Sequence, residues 1–310
     1  MKTLNFFIAV ILLLILTSCS SSKYVNYLED HTEVVKMTDS LQFNSLDDSF
    51  YNNKLFLVGE VHEVETSPRI DFAMFTQLNQ KIHINTYLAE MDIAQGYYLQ
   101  EYIKGSNEIT LKEILKKWPV YIGRISEQHR NKWVKMRAYY AQLPHDKKFN
   151  LVGIDRIADF DLIRKLLKEK LPVAYHKDID SENEYLISWS KNKLDMIIEK
   201  EKPYLSMNTI NLLKNIAYNL NNYKVTRRRD KFMVHNFKRL YTQKNWENKN
   251  LYSGLGFSHT LQAYRYTFAG RIKKDMQLPY SNKMVSLNTL YVDSRLTVDS
   301  KALPKFMQDK

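Results

Sequence analysis

Residues 54–62 read Lys-Leu-Phe-Leu-Val-Gly-Glu-Val-His, an almost entirely apolar run that ends in polar side chains. A strand that is buried on both faces has such a continuous apolar pattern instead of an alternating one. Comparable short segments occur at 82–90, 149–155, 250–259 and 284–292. Stretches with helical spacing separate them. We therefore predict an α/β fold, in which a mostly parallel central sheet is flanked by helices and carries a helical cap or insertion.

The predicted helices lie at 66–81, 93–104, 110–117, 128–142, 159–170, 181–200, 206–223 and 230–243. In the first of them, Pro68 stands in the opening turn, where its missing N–H leaves no hydrogen bond unmade. The sequence contains no internal repeat and no low-complexity tract. We therefore expect residues 50–310 to form a single α/β domain with helical insertions.

The N-terminus has the pattern of a bacterial export signal. Lys2 precedes an apolar run from Leu4 to Leu16, which is shorter than the about 20 residues that span a bilayer but suits a signal peptide. Leu16-Thr17-Ser18-Cys19 resembles the lipobox of bacterial lipoproteins. This resemblance implies a signal peptide over 1–18, lipid (including palmitate) on Cys19, and a tether over 19–49.

These features predict a protein of the bacterial cell envelope, anchored by lipid to the outer membrane or the cell surface instead of the inner membrane. Cys19 is the only cysteine, so it has no disulfide partner within the chain. The formal net charge is +12, but the basic residues are dispersed. We therefore expect two partners, a membrane and a small-molecule ligand or substrate, and no nucleic acid.

Polar side chains follow each of the first four predicted strands. The carboxyl ends of parallel strands meet at one edge of a sheet, where open α/β sheets bind ligands. Because residues two apart in an extended segment share a face, Glu60 and His62 can point into one cleft. The four strand ends read Gly59-Glu60-Val61-His62, Glu90-Met91-Asp92, Gly153-Ile154-Asp155 and Gly256-Phe257-Ser258-His259.

These segments, in this order, resemble the erythromycin esterase-like family over residues 54 to about 262. The matching pieces are Gly59-Glu60-Val61-His62, Arg69 at a helix start, Glu90 at a strand end, Gly153-Ile154-Asp155, Arg229-Asp230 with Met233 and Asn236, and Gly256 to His259. Glu63 stands where that family has a glycine. The first segment is also similar to the haem-binding ChaN-like lipoproteins and the Tiki/TraB proteases.

The resemblance implies a hydrolase of ester-type or related bonds that forms no covalent intermediate. His62 would act as a general base on water and titrate near its unperturbed pKa of about 6.5. Glu60 or Glu90 would fix the tautomer of His62 and stabilise its charge. Arg69 and His259 would hold the oxyanion or the polar groups of the substrate. Three further residues would contact and orient these side chains without touching the substrate: Asp92, Asp155 and Arg229.

Two alternatives remain open, although no cofactor is favoured. Glu60, His62, Glu90 and His259 are a plausible divalent-metal set, as in a Tiki/TraB-like hydrolase. A ChaN-like protein would instead carry haem on Tyr or His ligands and catalyse no reaction. Thr66 stands where a His-Glu-x-x-His zinc site needs its second histidine. The sequence also lacks a Gly-x-Ser-x-Gly elbow and glycine-rich nucleotide-binding motifs.

Overall fold

The computed structural model describes residues 26, 41–118, 126–223, 229–291 and 294–296. The chain divides into two units, Met1–Ser45 and Leu46–Lys310. Of the first unit, the structure describes Asn26, which is helical, and residues 41–45, which form neither helix nor strand. The predicted signal peptide, Cys19 and most of the predicted tether lie outside the described residues. The second unit contains all the elements below.

Five parallel strands form one sheet in the order β3-β2-β4-β1-β5 within the described part of the chain. β1 lies between β4 and β5, with Leu55 in register with both Leu251 and Met284. β2 lies between β3 and β4. The predicted α/β class is confirmed, and each predicted strand is present. The strands are β1 (Leu55–Glu60), β2 (Thr86–Ala89), β3 (Asn150–Gly153), β4 (Leu251–Gly256) and β5 (Met284–Asn288).

Helices fill the connections between the strands. The predicted helix at 181–200 is interrupted by a π-helical turn at Ser190–Leu194. The described α-helices are α1 (Asp48–Tyr51), α2 (Ser67–Ile82), α3 (Ile93–Lys104), α4 (Leu111–Ile114), α5 (Glu127–Gln142), α6 (Phe160–Lys170), α7 (His176–Ile179), α8 (Asn183–Trp189), α9 (Asp195–Glu201), α10 (Met207–Asn221), α11 (Arg229–Gln243) and α12 (Phe268–Lys274). None of these helices is both long and apolar enough to cross a bilayer.

The two faces of the sheet carry different side chains, because successive residues of a strand point to opposite sides. Leu88 and Leu255 belong to a buried apolar cluster that includes residues of α11 and α12. On the other face, Tyr87 and Tyr252 pack against each other, with ring centroids 5.2 Å apart, and both contact Phe75 of α2. Both faces are therefore covered, as the continuous apolar strands predict.

Helix α3 covers the outer edge of β3. A Cβ atom at Gly96 would overlap the backbone of Gly153, so the absence of a side chain allows this close approach. Gln100 of the same helix accepts a hydrogen bond through Oε1 from the N–H of Leu151 in β3. Beside this edge, α6, α8, α9 and α10 pack against one another and form a helical layer.

Candidate active site

The carboxyl end of the sheet gathers polar side chains from three adjacent strands. Glu60 ends β1, Glu90 follows β2, and His259 lies in a 3-10 turn directly after β4. These three residues are only 7, 5 and 7% exposed. The side chain of His62 is 30% exposed. The structure thus brings together Glu60, His62, Glu90 and His259; their catalytic roles stay predictions.

The imidazole of His62 lies between two carboxylates. Its Nδ1 is 3.0 Å from Oε1 of Glu60 and its Nε2 is 3.7 Å from Oε1 of Glu90. Burial by itself would lower the pKa of His62, but hydrogen bonds and charge from Glu60 and Glu90 raise it well above 6.5. The expectation that His62 titrates near its unperturbed pKa therefore does not hold in this arrangement.

Glu90 is the hub of the cluster. Its Oε1 accepts a 2.6 Å hydrogen bond from Nη2 of Arg229, and its Oε2 accepts one of 2.6 Å from the N–H of Gly256. The Nε2 atom of His259 lies 3.5 Å from Oε1. Burial would raise the pKa of Glu90, but the two histidines and then Arg229 hold it well below 4.5. Glu90 is therefore a buried anion.

Arg229, the first residue of α11, binds two carboxylates at once. Its Nε lies 3.1 and 2.9 Å from the two carboxylate oxygens of Asp155, and its Nη2 contacts both Asp155 and Glu90. Its Nη1 is 3.4 Å from Nε2 of His259. The planar guanidinium suits such forked contacts. Arg229, predicted as a supporting residue, contacts Glu90 directly.

His259 has a carboxylate partner on its other side. Its Nδ1 is 2.9 Å from Oδ2 of Asp230, which also accepts a 2.7 Å hydrogen bond from the N–H of Phe268. Burial would lower the pKa of His259, but Asp230 and Glu90 raise it to about 9. The sequence reasoning gave Asp230 no role. Its position beside Arg229 at the start of a helix was the available signal.

Trp118 is a second residue that the sequence reasoning missed. Its Nε1 donates a 2.7 Å hydrogen bond to the carbonyl oxygen of Glu90. Its ring meets the imidazole of His62 edge-on, with centroids 6.2 Å apart and an interplanar angle of 89°. Trp118 therefore holds the backbone of Glu90 and forms a wall beside His62.

Asp92 and Arg69, two other predicted residues, have different settings. Asp92 is fully buried and caps α3, accepting hydrogen bonds from the N–H groups of Ala94 and Gln95 and from two N–H groups of the segment before α6. Burial raises the pKa of Asp92 to about 6, although these N–H donors oppose the shift. Arg69 is exposed in the first turn of α2. Its oxyanion role stays a prediction, whereas Arg229 is the arginine at Glu90.

A cleft at this edge is lined by His62, Glu90, Asp92, Trp118, Asp155, Arg156 and Arg229, among others. Within the described ranges, no group of three or more His, Cys, Asp or Glu side chains is arranged to hold a metal ion. The guanidinium of Arg229 already bridges Glu90 and Asp155, as a bound cation would. The predicted metal set therefore does not fit here. Haem binding stays a separate prediction.

No family model matches the sequence, and a search of curated proteins finds no match. Solved structures do match. A Bacillus cereus protein aligns with a TM-score of 0.55 and 13% identity over 78% of this chain and 67% of its own. A histidine mutant of the erythromycin esterase EreC, in its open conformation, aligns with a TM-score of 0.53 and 13% identity over 77% of this chain and 70% of its own. The chain has an erythromycin esterase-like fold.

Two further structures complete the comparison. A succinoglycan biosynthesis protein aligns with a TM-score of 0.52 and 15% identity over 77% of this chain and 66% of its own. ChaN of Campylobacter jejuni, which binds haem cofacially, aligns with a TM-score of 0.39 and 16% identity over 80% of this chain and 86% of its own. At these identities the first three likenesses show the fold alone, and the ChaN likeness, with its lower TM-score, supports no argument.

Proposed function

We propose that this protein is a hydrolase of ester or lactone bonds in a small molecule, with His62 as the general base that activates water. The observation that carries the proposal is the position of His62 between Glu60 and Glu90 at the edge of the cleft. In the neutral imidazole, the Nδ1–H group donates a hydrogen bond to Glu60. The lone pair of Nε2 is then available to a water molecule. Glu90 then stabilises the imidazolium that forms.

The proposed reaction conserves every proton. As the water oxygen bonds to the acyl carbon, one water proton passes to Nε2 of His62 and the carbonyl electrons move onto the carbonyl oxygen. The positive charges of Arg229 and His259 offset the negative charge that develops there. When the ester C–O bond breaks, the leaving alkoxide takes the proton from Nε2, and His62 becomes neutral again.

The choice of ester and lactone substrates follows from the structural comparison. The structural neighbour EreC is an erythromycin esterase, so macrolide lactones are the first substrates to test. The lipobox-like segment further supports our proposal that the mature protein is held at the bacterial envelope by lipid on Cys19. The enzyme would then meet small molecules at a membrane surface.

The test is hydrolysis of p-nitrophenyl esters and of erythromycin by purified full-length protein, with and without EDTA. His62→Asn keeps a polar side chain but removes the base, so we expect activity to fall by about 100-fold or more. His145→Asn, which changes an exposed histidine, is the matched control and should keep full activity. Full activity in His62→Asn would refute the proposal.

Two other outcomes of the same assays would contradict the proposal. Activity that EDTA abolishes and a divalent metal restores would show a metal enzyme. Absence of hydrolysis, together with a Soret shift on haem titration that depends on a histidine or tyrosine, would show a haem carrier. Our proposal expects hydrolysis that EDTA does not affect.

A further inference from the structure

Helix α11 contacts the segment that follows β3 at two points. At the start of the helix, Arg229 binds the carboxylate of Asp155. Two turns later, Nδ2 of Asn236 donates to the carbonyl oxygens of Ile154 at 3.1 Å and of Asp155 at 3.3 Å. Residues seven apart lie on the same face of an α-helix. One face of α11 therefore holds both the side chain and the backbone of Asp155.

The carboxamide of Asn236 is buried and is itself held in place. Asn236 is 5% exposed, and its partner Asn219 of α10 is 1% exposed. Nδ2 of Asn219 donates to Oδ1 of Asn236 at 3.0 Å, and Nδ2 of Asn236 donates to Oδ1 of Asn219 at 3.1 Å. Nδ2 of Asn219 also donates to the carbonyl oxygen of Asn215 at 2.8 Å. Rotation of either amide would leave a buried polar group without a partner, so the orientation of Asn236 is fixed.

Asp155 connects Asn236 to the candidate active site. The guanidinium of Arg229 that binds Asp155 also donates to Glu90 at 2.6 Å. Arg229 is the first residue of α11, and the ends of a helix fray more easily than its middle. A second contact at Asn236 limits how far the first turn can move away from Asp155. The proposed hydrolase mechanism uses Arg229 but gives Asn236 no part.

We propose that Asn236 is a positioning residue, which fixes α11 relative to the end of β3 and thereby keeps the guanidinium of Arg229 on Glu90. Asn236 acts through Asp155 and Arg229 and touches no substrate. Its effect on catalysis rests on the proposed hydrolase, in which the charge of Arg229 offsets the developing oxyanion. Its effect on the position of Arg229 is independent of that function.

The test measures proton exchange at the Nε–H group of Arg229 by NMR, in full-length protein labelled on its arginine nitrogens. The signal is assigned by its absence from Arg229→Lys. Asn236→Leu keeps a side chain of similar size but removes every hydrogen bond of the carboxamide, so exchange should become about tenfold faster or more. In the hydrolase assay kcat should fall by about tenfold with little change in KM, because the charge of Arg229 acts on the transition state.

Asn215→Leu is the matched control. Asn215 is 5% exposed, and its side chain joins the same two helices through Gln243 at 2.7 Å and Arg239 at 3.1 Å. Neither contact involves the end of β3. This variant should therefore keep the exchange rate and the kcat of the wild type. Equally fast exchange in Asn215→Leu and Asn236→Leu would show a general loosening of the helix pair and would overturn the proposal.

Asn219→Leu decides the question if Asn236→Leu does not fold. It removes one partner of Asn236 but leaves the donation to Ile154 and Asp155 possible, so exchange should become faster by a smaller factor. Unchanged exchange in folded Asn236→Leu, or in Asn219→Leu if the first variant does not fold, overturns the proposal. Faster exchange with an unchanged kcat overturns the effect on catalysis. Faster exchange without hydrolysis by any protein, the wild type included, supports the positioning role and refutes the proposed function.

Discussion

Glu90 and Arg229 are 139 residues apart in the sequence, yet a 2.6 Å hydrogen bond joins their side chains. The same guanidinium binds Asp155, so one cation ties the ends of β2 and β3 to the start of α11. Glu90 and Asp155 are 5 and 6% exposed. Loss of the cation would therefore leave the buried Asp155 without this counter-charge and Glu90 with only the two histidines beside it.

We expect Arg229→Met to lower the free energy of unfolding by about 3 kcal/mol or more, because breaking a buried ion pair strands its partner. Urea unfolding followed by circular dichroism measures this change. Arg156→Met changes an exposed arginine of the same cleft and should shift stability by less than about 0.5 kcal/mol. Equal losses in the two variants would contradict a structural role for the Arg229 contacts.

The pH dependence of hydrolysis tests the role of His62. Two carboxylates raise its pKa well above 6.5, and a general base works only when deprotonated. Activity should therefore increase with pH until this raised pKa is passed. Glu60→Gln removes one carboxylate and lowers the pKa of His62, so the rise should move to lower pH.

Profiles of kcat/KM against pH for the wild type and Glu60→Gln give the comparison. Glu127→Gln, at an exposed position on α5, is the control and should leave the profile unchanged. If activity instead decreased as the pH passed the pKa of His62, the histidine would act as a general acid.

His259 makes the stability of the fold depend on pH. Asp230 and Glu90 raise its pKa to about 9 from 6.5, so the folded state retains a proton that the unfolded state releases. This stabilisation is complete below pH 6.5 and is lost as the pH rises through about 9. It amounts to roughly 3 kcal/mol.

Urea unfolding across this pH range should show the loss, and His259→Gln should make the dependence shallower. His62 contributes with the same sign, because its pKa is also raised. His145→Gln changes an exposed histidine and should keep the full slope. An unchanged slope in His259→Gln would rule out this contribution.

Substitutions at Glu63 test whether the backbone at this position is strained. It has a φ of 64°, in the left-handed region that favours glycine, and the family has glycine at this position. Both Glu63→Gly and Glu63→Ala remove the side-chain contacts of Glu63, but only glycine relieves the backbone. The glycine variant should therefore be more stable than the alanine variant by about 1 kcal/mol. Equal urea midpoints would show that the backbone is not strained.

Lipidation is tested at Cys19. Metabolic labelling with a palmitate analogue should mark the wild type, whereas Cys19→Ala should carry no label and leave the membrane fraction or remain uncleaved. The chain has no other cysteine to take the lipid. Ser20→Ala is the neighbouring control and should keep the label. Label in Cys19→Ala equal to that of the wild type would end the lipoprotein hypothesis.

The sequence predicted the strands well, because buried parallel strands are short apolar runs between helices. It extended β4 to residue 259, but the strand ends at Gly256 and a 3-10 turn follows. In that turn His259 reaches both Glu90 and Asp230. Such a bend depends on contacts with distant segments, which no local pattern encodes.

The sequence also predicted which strand ends carry the candidate site, but not how the side chains pair. The order of the strands decides that Glu90 lies beside Arg229, and strand order depends on long-range packing. Arg69 was proposed from the family resemblance, and its oxyanion role stays a prediction. The arginine at Glu90 comes from α11, far from the first motif in the sequence, and a local pattern does not reveal that contact.

The contact between Gly96 and Gly153 has a consequence for the edge of the sheet. An open sheet edge presents unpaired N–H and C=O groups to which another chain can add a strand. Because two glycines let α3 lie directly against β3, that helix shields the outer edge. A larger residue at position 96 would push the helix outward and uncover the strand. We therefore expect the small size of these two residues to disfavour edge-to-edge strand pairing at β3.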